Sequence, residues 1–148
     1  MAGTTMVAFK SKMVELISAM PEFDGVKVSY ADPGDKALKE NVWFQRITLN
    51  DVEPVALRTG RRRRDETYQA ELVIEVSGTR LTPERAEARS LELGLHIEEY
   101  LADNPKLDGS LPDLITALML TQRLSCSETD QGPTAIHVLT IEVRARLL

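Results

Sequence analysis

Between Thr67 and Val76 apolar and polar positions alternate. Tyr68, Ala70, Leu72, Ile74 and Val76 fall on one side, Gln69, Glu71 and Glu75 on the other, and Val73 is the single exception. Successive side chains of an extended chain point to opposite faces, so a period of two predicts a half-buried strand. The last segment repeats the pattern. From Ala135 to Leu147, Leu139, Ile141, Val143, Ala145 and Leu147 share a face opposed to Thr140, Glu142, Arg144 and Arg146. Val26, Val28 and Tyr30 predict a short strand that Asp32, Pro33 and Gly34 break, and VWFQRITL from Val42 to Leu49 predicts another. Glu53 to Leu57 predicts a short strand, and Arg58 to Glu66 a loop joining it to the Tyr68 strand, so that the two form a hairpin with an arginine tip.

Helical spacing governs two other stretches. Met6, Phe9, Met13, Ile17 and Met20 form a core-facing stripe that Thr4 or Thr5 can cap and Pro21 ends. Thr82, Pro83 and Glu84 supply a capping hydroxyl, a proline at the first helical position and an acid in the first turn, so a helix runs from there to about Asp103. That helix carries two stripes. Ala86, Leu93, Ile97 and Tyr100 lie on one side; Ala88, Leu91, Leu95 and Ala102 lie roughly opposite. A helix resting on one small sheet buries one stripe, so Leu91 and Leu95 need a cover from their own chain or from another subunit.

Asp113 to Ser125 fits two periods. Leu114, Leu118 and Leu120 match a strand, whereas Leu114, Ile115, Leu118 and Leu124 match a short helix; the strand is favoured. Glu128 to Pro133, ETDQGP, reads as a loop. Together these elements predict one α+β domain over residues 1–148. It has a small mixed, mainly antiparallel sheet, an N-terminal helix and a central helix packed on it, and a long β-hairpin with a basic tip.

Composition narrows the function. Four consecutive arginines, Arg61, Arg62, Arg63 and Arg64, sit in a chain with 18 Lys and Arg against 23 Asp and Glu, a formal charge of −5. A duplex binder carries a broad basic footprint, so the run reads as a solvated or subunit-contact loop before it reads as a hand for nucleic acid. Cys126 is alone and has no internal disulfide partner. The N-terminal segment lacks the apolar core of a signal peptide, and there is no run of about 18 apolar residues to span a membrane, so a protein made in the cytosol is expected.

No chemistry converges. His96 and His137 read as surface or packed histidines without metal-ligand spacing, no glycine-rich phosphate loop is present, and the adjacent Glu98 and Glu99 point in different directions on their helix. No catalytic residue, metal or other cofactor is expected. Trp43, the only Trp, reads as an anchor of the core or of an interface.

The order of a Trp-containing strand, RRRRDETYQAELVIEV, TPERAEARSLELGLHIEEYLADNP, the turn KLDGSLPDL and the strand AIHVLTIEVRARL resembles the tail terminator, or tail completion, proteins of long-tailed bacteriophages, especially those of actinobacteria. The likeness covers about Val26 to Leu148 and rests on element patterns with no catalytic signature; other neck proteins, such as head completion factors, share the size. The resemblance implies a non-enzymatic virion protein, assembled in the host cytoplasm. Its copies would form a homo-oligomer, a hexameric ring, at the head-proximal end of the tail. The implied partners are the tail tube protein, the head–tail connector and, non-specifically, the genomic DNA in the lumen. Two placements of the Arg61 to Arg64 loop stay open. It lines the lumen or, as the neighbouring Asp65 and Glu66 and the acidic body favour, it pairs with an adjacent subunit. A nucleic-acid adaptor using these arginines is the alternative class.

Overall fold

The computed structural model describes residues 3–34, 39–54 and 64–147, with side chains described throughout except at 51–54. It is an α+β fold in which two helices cover one face of a five-stranded mixed sheet. The elements in chain order are α1 (Met6–Ala19), β1 (Lys27–Ser29), β2 (Glu40–Pro54), β3 (Arg64–Ser77), α2 (Pro83–Asp103), β4 (Leu114–Thr129) and β5 (Gly132–Leu147). Spatial order is β1-β2-β3-β5-β4, with β1 parallel to β2 and every other pair antiparallel.

The alternation in β3 and β5 sets the core. Tyr68, Leu72 and Ile74 from β3, with Leu139, Ile141 and Val143 from β5, meet Phe9, Met13 and Ile17 of α1 and Leu93, Ile97 and Leu101 of α2. Phe9 packs edge-on against both Phe44 and Tyr68, at ring-centroid distances of 6.1 Å. The exception in the β3 pattern has a partner. Val73 faces away from the helices and packs with Trp43, Val138 and Ile136 in a second cluster on the uncovered face of the sheet.

Four elements differ from expectation. The residues predicted as two strands, Val42 to Leu49 and Glu53 to Leu57, are one continuous strand as far as Pro54, with register shifts after Phe44 and Leu49. The remainder of the second predicted strand, at 55–57, lies outside the described residues. The predicted loop to Glu66 ends earlier, because Arg64, Asp65 and Glu66 are paired on both sides, with β2 and with β5. The segment favoured as a strand, Asp113 to Ser125, is one from Leu114 onward, and that strand extends to Thr129. The predicted Glu128 to Pro133 loop therefore shrinks to Asp130 and Gln131. Gly132 makes the tight turn possible: its φ is +89°, and a Cβ there would stand 2.6 Å from the Gly78 carbonyl oxygen.

Thr82 caps α2 as expected, its hydroxyl accepting from Arg85 N–H at 3.3 Å. Of the two capping candidates of α1, Thr5 occupies the cap position without capping it through its side chain, whereas the Thr4 hydroxyl accepts from Met6 N–H at 3.3 Å. A residue distant in sequence adds to it.

Candidate assembly surfaces

The stem below the arginine run is tied into the fold by its two acids. Glu66 continues the inward register of Tyr68 and Ala70 and is 1% exposed. Its carboxylate accepts from Thr5 N–H at 2.7 Å, Thr5 Oγ1 at 2.8 Å and Thr4 Oγ1 at 3.1 Å. An anion is thereby set at the N-terminus of α1, whose own first turn has no acid. Thr5 Oγ1 also lies 2.9 Å from the Tyr68 hydroxyl. Burial pushes that phenol well above its ordinary value against the opposing hydrogen bond to Thr5, so it stays neutral.

Asp65 points to the opposite face. Arg146 grips it with two hydrogen bonds, Nε to Oδ1 at 2.8 Å and Nη2 to Oδ2 at 3.2 Å, and Arg144 stands 3.9 Å away. The Arg146 hydrogen bond holds the Asp65 carboxyl below its ordinary value, outweighing the upward push of desolvation. Both acids expected at a subunit or lumen loop are thus engaged within their own chain. Arg64 is exposed at the base of the hairpin; Arg61, Arg62 and Arg63 lie outside the described residues.

The second surface is the outer side of α2. Ala86, Ser90, Leu93, Gly94, Ile97 and Leu101 are its buried residues. Leu91 and Leu95 remain 44% and 49% exposed. No other described part of the chain covers them enough to bury them. They sit on the flank turned toward β4, because Glu98 accepts from Gln122 Nε2 at 3.2 Å and the charge of Glu87 reaches Cys126, both partners being on β4. Leu118, Leu120 and Leu124 of β4 are exposed as well, and β4 is an edge strand.

A buried polar relay locks α2 to this edge. His137 on β5 is 1% exposed, with Nδ1 3.2 Å from the Ser90 carbonyl and Nε2 2.9 Å from Gln122 Oε1, and Gln122 passes the chain on to Glu98. Helix and strand approach closely enough for this only because residue 94 is glycine: a Cβ there would meet the imidazole Cε1 at 2.6 Å. The packed state of His137 was among the sequence expectations, whereas the relay was not. No spacing rule links Ser90, Gln122 and His137, which come from three elements.

At the far end of the sheet Arg89 of α2 pairs with Glu40 of β2 at 2.6 Å, beside an open groove of about 520 Å³ that also takes in Lys39 and Arg80. Glu40 and Glu92 both bind Arg89, so its charge is compensated. Among the described residues no three His, Cys, Asp or Glu side chains gather to hold a metal ion, and no helix is long and apolar enough to cross a membrane.

No protein-family model and no curated protein matches this chain. Among solved structures it is similar to a chain of the virion of a native gene transfer agent particle. The TM-score is 0.58 at 13% sequence identity, over 97% of this chain and 100% of the other. At that identity the likeness is one of fold.

Proposed function

We propose that this chain is a non-enzymatic structural protein of a virion. Its copies close into a ring, most simply a hexamer, on the head-proximal end of a phage tail tube. There the ring ends tube growth and presents a surface to the head. The observation that carries the virion role is the fold shared, over nearly the whole length of both chains, with a chain of the virion of a native gene transfer agent particle. The finer assignment to a tail terminator rests on the sequence resemblance, and exposed Leu91 and Leu95 support the ring, since an uncovered apolar stripe on a helix is a subunit contact in waiting.

The described base of the arginine hairpin favours assembly over nucleic-acid binding. Arg144 and Arg146 converge on Asp65 and leave less free positive charge for phosphate. In this reading Arg61 to Arg64 contact an adjacent subunit or a partner ring, and meet passing DNA only loosely.

A tube-growth assay tests the role. Purified protein added to polymerising tail tube subunits should arrest elongation, with ring density at one tube end in electron micrographs. Tubes that grow equally long with and without it would refute the terminator assignment. Binding to filled heads but never to tubes would move the protein to another place in the neck.

A further inference from the structure

We infer that neighbouring copies join sheet to sheet, β4 of one copy pairing antiparallel with the outer edge of β2 of the next; this rests on the ring reading above and specifies how the ring is built. Two edges of the sheet are open among the described residues. β4 closes one end, and at the other β1 covers only Asn41, Val42 and Trp43 of the fifteen-residue β2. β4 is sixteen residues long and contains neither Pro nor Lys, two of the devices by which soluble proteins blunt an exposed edge.

Exposed apolar side chains follow the same division. All eight large ones among the described residues belong to elements at these two ends: Leu91, Leu95, Leu118, Leu120 and Leu124 on α2 and β4, and Val7, Tyr30 and Leu49 on α1, the end of β1 and β2. They also match in height. Across the sheet Thr48 pairs with Gln69, Gln69 with Glu142 and Glu142 with Leu118, so Thr48 and Leu118 share a level and a face. Lower down, Gln122 is level with Phe44 through Leu139 and Leu72; from Trp43 onward β1 already holds the outer edge of β2, so the pairing stops at Gln122 and Leu124 comes against β1, beside Tyr30, which follows the residue paired with Trp43. Lys10 of α1 sits 3.9 Å over the Tyr30 ring, which puts Tyr30 on the helical side, the side of Leu91 and Leu95.

Direction agrees as well. β2 runs opposite to β3, β3 to β5 and β5 to β4, so β4 is antiparallel to β2 of any copy held in the same orientation. Because the two edges are different surfaces at opposite ends, pairing them is head-to-tail and propagates around a ring.

Paired cysteines test the geometry. In the full chain with Cys126→Ser, Thr48→Cys and Leu118→Cys together should oxidise into a ladder of covalent oligomers. Each single variant alone should stay uncross-linked, and a mixture of the two singles should stop at dimers. Rings in micrographs without cross-links, or self-linking of Leu118→Cys alone, would overturn edge pairing and leave the ring reading standing. Cross-linked open filaments would uphold edge pairing and defeat the ring. Monomers throughout would overturn both. The unmodified protein supplies a second readout: outward amides of β4 between Leu114 and Gln122 should exchange about tenfold or more slowly on assembly, and unchanged exchange there in assembled rings would contradict the pairing.

Discussion

Glu66 accepts the backbone N–H of Thr5 at 2.7 Å, across 61 residues of sequence. The base of the arginine hairpin is thereby fixed to the first turn of α1, and a buried carboxylate adds to the 3.3 Å bond from Met6 N–H to the Thr4 hydroxyl at that helix start. Glu66→Ala should leave Thr5 N–H and two hydroxyls without their acceptor and destabilise the fold by about 1–3 kcal/mol. Chemical denaturation measures the loss, and a change within error of zero would mean that water replaces the carboxylate there.

Gly94 is required by the His137 ring. Alanine would favour the helix by about 1 kcal/mol, but the added Cβ collides with an imidazole wedged between the Ser90 carbonyl and the Gln122 side chain, and overpacking of this kind costs about 1–3 kcal/mol. Gly94→Ala should therefore be net destabilising. Combined with His137→Ala it should cost less than the sum of the two single changes, as denaturation of all four proteins in the cycle would reveal.

Acid stability carries the signature of Asp65. Its carboxyl is held below the ordinary value of 3.8 chiefly by the Arg146 hydrogen bond, so its contribution is fully present above that value and is lost as pH falls through the lower folded one. Asp65→Asn should lower stability at neutral pH and flatten the fall toward strong acid. Thermal melts of the two proteins across that range give the comparison, and parallel curves would contradict it.

Much of this was legible in the sequence because it is periodic. The β3 and β5 alternation, the Thr82 cap and the exposed Leu91 and Leu95 each follow from spacing within one element. Relations between elements were not legible. The phase of the alternation extends back to Glu66 and places it on the inward side, but nothing local says that Thr4 and Thr5 at the start of α1 meet it there. Val73 broke the β3 pattern because Trp43 and Val138, from two other strands, meet it on the face a single-strand reading assigns to solvent. Nothing in the pattern of its own strand marks Gln122, whose partner His137 is supplied by β5.

Leu91 and Leu95 carry the assembly reading most directly at the level of residues. Replacing both with Glu should leave a folded monomer, since a charge on an exposed position costs little, and should abolish self-association, since the same charge buried in a contact is costly. Circular dichroism beside a sizing column separates these outcomes. Unfolding of the double variant would show the stripe to be part of its own chain's core.

Assembly of this kind requires that copies of the chain close on themselves. Native mass spectrometry of the purified protein over a concentration series tests it most directly, with micrographs of the same sample and of tail tubes mixed with it. A single closed oligomer that grows in with concentration and appears as a ring, most simply of six subunits, is the predicted result. A protein that stays monomeric at every concentration, and forms no ring on tubes, would contradict the account.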